Sequence, residues 1–525
     1  MKLYRSFATV GGLTMVSRIL GFARDILIAA ALGVGPVADA FFVAFRFPNL
    51  FRRLFGEGAF NSAFVPLFAK RLEGDGIDEA RGFAEESFSV LLFTLLAFST
   101  LAILAMPWLM MVLAPGFVTD PDKYNLAVLL TQVAFPYLLC MSLVALLSGA
   151  LNSMDKFWAA AAAPILLNIV LILSLATIFW FGLARREEAG LILAIGVTLA
   201  GIAQFAMLWF AARNAGLRLK IRRPRYTQGV QRLVQLGIPG VISGGITQIN
   251  IVVGTIIASL QAGAVSYLYY ADRLYQLPLG IVGVAIGIVL LPDLARKLRA
   301  GDDVAASASQ NRSLEFALLL TVPAAVALAL TAEPIIRVLF ERGAFLSTDT
   351  PKTAMALAAF SLGLPAFVLI KVFQPAFFAR EDTKTPMRYA GYNLVVNVVG
   401  SLALFYMFKV LGLPPHVGIA LATSIAGWVN AVMLWRNLSH HGKFVTDARL
   451  RRNLPLLVIA SCAMGLVLWF ALPQLGPLTS SSQALWVQVM ALAGLVGLGL
   501  AVYGAMIAVT GIMPLRQLLR FGRER

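Results

Sequence analysis

Long apolar stretches, each closed by a cluster of charged or turn-forming residues, recur along almost the whole chain. They fall at about 7–33, 37–68, 88–114, 125–151, 158–182, 189–212, 233–260, 266–292, 314–340, 353–379, 386–408, 416–435, 454–472 and 484–512. A helix crosses the bilayer core with about 20 mostly apolar residues. The pattern therefore predicts an all-α polytopic membrane protein with about 14 transmembrane helices. Composition closes off the alternatives. Of the 525 residues, 59% are hydrophobic and 13% charged, against roughly 45–50% and 25% in a soluble domain. Mean hydropathy is +0.82. A soluble enzyme and a disordered scaffold are excluded, and there is little room for a soluble domain between the spans.

Charge then orients the spans. Lysine and arginine number 43 against 26 acidic residues. In a soluble protein such an excess would suggest nucleic acid. Here 29 of the 43 fall on one side of the predicted spans, 7 on the other and 7 inside. That asymmetry predicts an even number of spans with both termini cytoplasmic. The connection from Arg213 to Arg232 carries seven basic residues and no acid. Anionic headgroups are its expected partner, either as an anchor or by gathering an anionic lipid. The aromatic-rich AFFVAFRFPNLFRRLF lies within a span, so nucleic acid is not an expected partner. The N-terminal MKLYRSFATVGGLTMVSRIL shows no cleavage-site pattern and reads as a retained first span. Cys140, Cys462 and the three histidines show no metal-ligand or redox spacing, so neither a metal nor a cofactor is expected.

The chain also repeats itself. FVPLFAKRL at 64–72 resembles LLPDLARKL at 290–298, and Pro66, Pro107, Pro136 and Asn168 find counterparts at Pro292, Pro334, Pro365 and Asn397, 226 to 229 positions later. Six spans per repeat is an even number, so the two lobes enter the membrane from the same side as parallel repeats. The expected organisation is a six-helix lobe over 1–215, a second over 216–445, and a two-helix appendage over 446–525.

Charges inside the spans carry the candidate chemistry. An arginine at a helix centre costs about 2.5–3.5 kcal/mol on insertion scales, so Arg18, Arg24, Arg46, Arg52 and Arg53 must face protein, water or an anion. Thr14, Arg18, Gly21 and Asp25 share one helical stripe, with Arg24 beside it. Asp39, Arg46, Asn49, Arg53 and Glu57 form a second stripe, interrupted by Pro48. Asp272 and Arg273 open the eighth span. One reading makes these internal ion pairs. The other follows the count: six arginines (18, 24, 46, 52, 53, 273) face four carboxylates (25, 39, 57, 272). A surplus of positive charge in a cavity suits an anion, and the guanidinium fork suits phosphate. Lys371 is a lone charge in the tenth span, read either as a snorkelling side chain or as a coupling group. Gly280, Gly283 and Gly287 give the eighth span a thin face for close packing or bending.

These residues carry a family resemblance. SRILGFARD at 17–25, DAFFVAFRFPNLFRRLFGEGAFNSAFVPLFA at 39–69, YYADRLYQLPLGIVGVAIGIVLLP at 269–292 and DTKTP at 382–386 resemble the MurJ/MviN family of bacterial lipid II flippases, within the multidrug/oligosaccharidyl-lipid/polysaccharide exporter superfamily. The resemblance implies two six-helix lobes and two further helices that hold a polyprenyl tail. It implies movement of an undecaprenyl-diphosphate-linked peptidoglycan precursor from the inner to the outer leaflet by alternating access. It further implies that Arg18, Arg24, Arg52 and Arg273 bind the diphosphate, and that Asp25, Asp39, Asn49, Arg53 and Glu57 shape the cavity and its gate. Some members bind sodium in the C-terminal lobe. The seventh span here, LGIPGVISGGITQINIVVGTII, has no acidic residue to supply such a site. The membrane potential or an ion gradient is then the expected driving force, and cell-wall synthesis proteins are expected as further partners. A flippase for another polyprenyl-linked oligosaccharide and a drug or cation exporter of the same superfamily stand as alternatives. An exporter of cations would want carboxylates in excess of arginines.

Overall fold

The computed structural model describes residues 2–51 and 60–512. Among them every regular element is helical. Nineteen α-helices follow one another: α1 (Lys2–Leu32), α2 (Pro36–Phe51), α3 (Phe60–Gly74), α4 (Ile77–Leu104), α5 (Met106–Leu113), α6 (Pro121–Ala134), α7 (Pro136–Ser153), α8 (Trp158–Trp180), α9 (Glu187–Asn214), α10 (Gln228–Ser259), α11 (Ala264–Arg299), α12 (Asp303–Leu330), α13 (Ala332–Phe340), α14 (Thr350–Ser361), α15 (Leu364–Phe378), α16 (Lys384–Val410), α17 (Pro415–His440), α18 (Ala448–Leu475) and α19 (Leu485–Thr510).

Helices outnumber the fourteen apolar stretches because the second stretch holds both α2 and α3 and proline cuts four others in two. Proline lacks the N–H of the helical ladder and clashes with the carbonyl four residues back, so a helix tends to end just before it. The breaks lie beside Pro107, Pro136, Pro334 and Pro365, between α4 and α5, α6 and α7, α12 and α13, and α14 and α15. These are the prolines that mark the internal repeat, and α4 and α12, which precede the first break in each repeat, are both 28 residues long.

Ten helical segments among the described residues are long and apolar enough to cross a membrane. They account for the third to sixth and ninth to fourteenth stretches of the sequence pattern. α1, α2 with α3, α10 and α11 hold the other four stretches. α1 and α2 carry the buried charges, α10 is rich in glycine, and α11 carries Asp272, Arg273 and a basic C-terminal turn. Large apolar side chains such as Trp180 (85% exposed) and Val410 (87%) point outward. That is the surface of a protein solvated by lipid, with backbone polar groups satisfied inside the helices. The protein is an all-α polytopic membrane protein.

The helices gather into two compact units. One comprises Met1–Ser266 with Gly343–Phe345, the other Tyr267–Arg342 with Leu346–Arg525. In the first, α1 packs on α8, α2 on α6 and α9, and α4 on α7. In the second, α16 packs on α17, α12 on α15 and α18, and α18 on α19. α18 and α19 share the core of that unit: Leu450, Leu457, Ala460 and Ile507 bury against residues of α11, α12 and α15. Farther along, Met464, Leu468 and Leu495 close over Val326 and Ala327.

Candidate functional site

The first unit holds two buried polar clusters. One is built on α1. Arg24 and Asp25 are consecutive, so a helix points them about 100° apart, and the long arginine stem must fold back for the two to meet. It does: Nε and Nη2 of Arg24 donate to Asp25 Oδ1 at 3.1 and 2.7 Å. Arg24 Nη1 donates to Asn168 Oδ1 of α8 at 2.9 Å. Asn168 Nδ2 in turn donates to the Ser17 carbonyl at 2.9 Å, which fixes the amide's orientation. Arg24 is 8% exposed and Asp25 4%, and the guanidinium lies 6.0 Å from the Phe45 ring centroid. A charge so buried is tolerable only when paired and hydrogen-bonded. Here the pairing fixes where the positive group sits.

Gly21 faces the same asparagine. A Cβ there would lie 3.5 Å from Asn168 Nδ2, an ordinary contact. An alanine at this position of the stripe would meet the amide without a clash. Arg18, two turns before Asp25, is exposed.

The second cluster surrounds Asp39, which is fully buried. One of its oxygens accepts Lys123 Nζ at 2.6 Å and the Gly263 N–H at 2.9 Å. The other accepts the Ser266 N–H at 3.0 Å and the Ser266 hydroxyl at 2.6 Å. Four donors fill the capacity of a carboxylate, and Lys123 also stands over the Phe117 ring at 4.0 Å. Asp39 thus ties α2 to α6 and to the turn between α10 and α11. Its counter-charge is a lysine that the span pattern assigned to an outer connection.

Farther along α2, Arg46 Nη1 donates to Thr255 Oγ1 of α10 at 2.8 Å. A small apolar cavity of about 30 Å³ lies beside it, lined by Val43, Phe47, Leu113 and Ile251. That is room for about one water molecule. Asn49 Nδ2 donates to the Phe45 carbonyl one turn back at 2.8 Å. Arg52, Arg53 and Glu57 lie outside the described residues.

Gly343–Phe345 closes the end of this unit. The Ala344 N–H donates to the Ala30 carbonyl at 2.7 Å, and Arg185 Nη2 donates to the Ala344 carbonyl at 2.6 Å. Gly33 (φ +63°) and Gly343 (φ +61°) both take left-handed backbone. A Cβ on Gly33 would lie 2.1 Å from the Ala344 carbonyl oxygen, and one on Gly343 2.4 Å from that of Ala30.

In the second unit Arg273 stacks over the Tyr269 ring at 4.7 Å. Its neighbour Asp272 accepts a hydrogen bond from Gln276. Lys371 lays its stem over Gly283, where a Cβ would lie 2.5 Å from Lys371 Cδ. The lone lysine and the thin face of the eighth span, read separately in the sequence, meet here. Asn168, Lys123, Ser266 and Thr255 were not singled out for the site. Asn168 alone left a signal, as an amide within the apolar run 158–182.

The chain matches the family profile described as "Lipid II flippase MurJ" over residues 28–511. It is 51% identical over 504 residues to a Rhizobium tropici protein named "Probable lipid II flippase MurJ", covering 96% of this chain and 93% of that one. It is 35% identical over 482 residues to "Lipid II flippase MurJ" of Burkholderia cenocepacia, covering 90% and 91%. Among solved structures it superposes on "Lipid II flippase MurJ, inward closed conformation" with a TM-score of 0.77 and 27% identity, covering 97% and 99%. A transporter of the multidrug MATE family shares the fold at 14% identity with a TM-score of 0.64. The chain belongs to the MurJ family of lipid II flippases.

Proposed function

We propose that this protein moves lipid II, the undecaprenyl-diphosphate-linked peptidoglycan precursor, from the inner to the outer leaflet of the bacterial cytoplasmic membrane by alternating access. The observation that carries the reading is the buried Arg24, held by Asp25 and Asn168 in a helix whose family handles a diphosphate. Arginine can engage a phosphate through two parallel N–H bonds. In this account Asp25 is the resting counter-ion of Arg24, and the diphosphate replaces it when the headgroup enters. Arg18, exposed on the same helix, makes the first contact. Arg52 and Arg273 complete the cationic set, with Asn49, Arg53 and Glu57 shaping its walls. Asp39, enclosed by its four donors, holds the frame in which that set works.

The chain crosses the membrane fourteen times with both termini in the cytoplasm. It is organised as lobes over 1–215 and 216–445 with an appendage over 446–525 that carries the polyprenyl tail. It performs no covalent chemistry and needs no cofactor. Movement of charge is biased by the membrane potential, at about 2.3 kcal/mol per elementary charge per 100 mV. The basic connection 213–232 meets anionic headgroups on the cytoplasmic side, and cell-wall synthesis proteins take the product onward.

The test is transport by the purified protein in vesicles, read by access of an external enzyme to fluorescent lipid II. Vesicles holding the protein should expose the inner-leaflet pool faster than empty ones. An undecaprenyl-monophosphate sugar should move more slowly. Equal rates for the two would remove the diphosphate from the account.

A further inference from the structure

The segment that follows α9 and the segment that follows α17 are built alike. Residues 217–227 run as an extended strap across α4. Leu217 and Leu219 are buried and Arg218 and Lys220 exposed, an alternation that ends at Ile221, which with Arg222 is exposed. Glu85 of α4, 1% exposed, accepts the Lys220 N–H at 3.1 Å. It also faces Arg222 Nε at 2.6 Å in an ion pair whose N–H is poorly aligned with the carboxylate. One turn on, Ser89 Oγ accepts the Arg222 N–H at 3.0 Å. Thr227 donates its hydroxyl to Glu86 at 2.7 Å and caps the first turn of α10.

In the second unit the chain after α17 crosses α12. Asn311 accepts the Asp447 N–H at 3.2 Å and donates to the Val445 carbonyl at 2.8 Å. One turn on, Glu315, 7% exposed, faces Arg449 Nε at 3.1 Å and accepts Asn453 Nδ2 at 2.6 Å. Asp447 caps the first turn of α18.

The correspondence follows the internal repeat. Glu85 and Ser89 stand 226 positions before Asn311 and Glu315, and Lys220 and Arg222 stand 227 before Asp447 and Arg449. A polar pair one turn apart on the long helix receives the strap at matching positions in both units, with the acid shifted by one turn. Burying a carboxylate costs several kcal/mol before pairing. The arginines that face these acids are about half exposed, Arg222 at 56%, Arg449 at 54% and Arg312, also on Glu315 at 3.2 Å, at 47%, and pairs with so exposed a partner return little net stability. Stability alone therefore gives a poor account of an acid buried at both places. What the two sites share is their position, at the start of α10 and at the start of α18.

We propose that Glu85 with Ser89, and Asn311 with Glu315, are positioning residues for transport. Glu85 and Ser89 fasten the strap before α10 to α4, while Asn311 holds the chain before α18 and Glu315 the first turns of α18 itself on α12, so that α10 or α18 starts from a fixed point and stays attached throughout the cycle. The inference rests on the flippase reading for its transport readout. Its geometry is read separately by crosslinking.

The experiment uses the full chain with Cys140→Ala and Cys462→Ala, purified and reconstituted with fluorescent lipid II. Ser89→Cys with Arg222→Cys should crosslink in high yield on oxidation, and the crosslinked protein should flip at the rate of its parent. Glu85→Ala added to that pair should lose most of its rate when reduced and regain it when oxidised. A merely structural carboxylate would not give a loss that a bond elsewhere on the strap reverses. Melting temperature and gel-filtration profile separate this from misfolding, and Glu85→Gln, which keeps an acceptor oxygen, carries the comparison if Glu85→Ala does not fold. Failure to crosslink overturns the proposal, as does arrest of transport by the crosslink. So does a normal rate for reduced Glu85→Ala, or a folded, crosslinked Glu85→Ala that stays slow. An inactive cysteine-free parent that still crosslinks would count against the flippase reading and leave the strap in place.

Discussion

Asn168 and Asn397 occupy the same place in the two repeats, yet they meet different chemistry. Asn168 accepts from the buried guanidinium of Arg24 and donates to the backbone of α1. Asn397 accepts from two hydroxyls, Thr423 at 3.2 Å and Ser401 at 3.4 Å. The helix that carries Arg24 and Asp25 in the first unit has α10 as its counterpart in the repeat order, and α10 carries no charge between Leu233 and Ser259. Among the described residues Asn168 meets an ion pair, and Asn397 meets hydroxyls of its own helix α16 and of α17. Buried ion pairs give poor stability for what they cost in desolvation. The ion pair held at Asn168 therefore points to a task performed there beyond stability.

The comparison can be broken most sharply at Asp39. Asp39→Ala leaves the buried Lys123 ammonium without its carboxylate and three further donors without an acceptor. We expect a loss of about 3–5 kcal/mol, the range for breaking a buried pair from one side. A large drop in melting temperature in detergent should follow, partly recovered by Lys123→Met in the same chain. A drop no larger than that of an exposed control such as Lys156→Ala would show that the cluster carries no such load.

The next contrast sets the two asparagines against each other. Asn168→Ala removes an acceptor from a charged group and should cost about 1.5–3 kcal/mol, whereas Asn397→Ala loses neutral bonds and should cost about 0.5–1.5 kcal/mol. Transport should fall with Asn168→Ala beyond its effect on stability and should track stability alone with Asn397→Ala. Equal behaviour would erase the distinction between the two repeats.

The smallest effects are at glycine. Gly21→Ala should be near neutral in melting temperature, since the added Cβ meets Asn168 at an ordinary distance. Gly283→Ala must push the Lys371 stem aside and should cost about 1 kcal/mol, the low end for overpacking, because that stem can move. In a Lys371→Ala background the cost should vanish. Persistence of the full cost there would place the strain in the helix backbone.

Much of this architecture is legible in the sequence because its signals are local. Apolar runs mark the spans, and Pro107, Pro136, Pro334 and Pro365 mark both the repeat and the helix breaks, since a proline acts on its own turn. The stripe that joins Arg18 to Asp25 is local too. The partners are not. Asn168 lies 144 positions from Arg24, and Gly263 and Ser266 reach Asp39 through backbone N–H groups that any residue possesses. Lys123 counted as an outer-side charge because hydropathy reports where a residue lies along a span and not what it bonds to. The straps stayed hidden for the same reason. Residues 213–232 read as a basic loop, and only the fold shows Glu85 and Ser89 of a distant helix beneath it.

The account turns on Arg24 as a reader of diphosphate, so the decisive measurement is lipid II flipping in vesicles by Arg24→Ala and Arg24→Lys beside the parent protein. Removing the partner of a desolvated phosphate costs about 2–5 kcal/mol. Arg24→Ala should therefore lose nearly all of its rate at unchanged protein content. Arg24→Lys keeps the charge without the planar fork and should fall between alanine and parent. A well-folded Arg24→Ala that flips lipid II at the parent's rate would contradict the account.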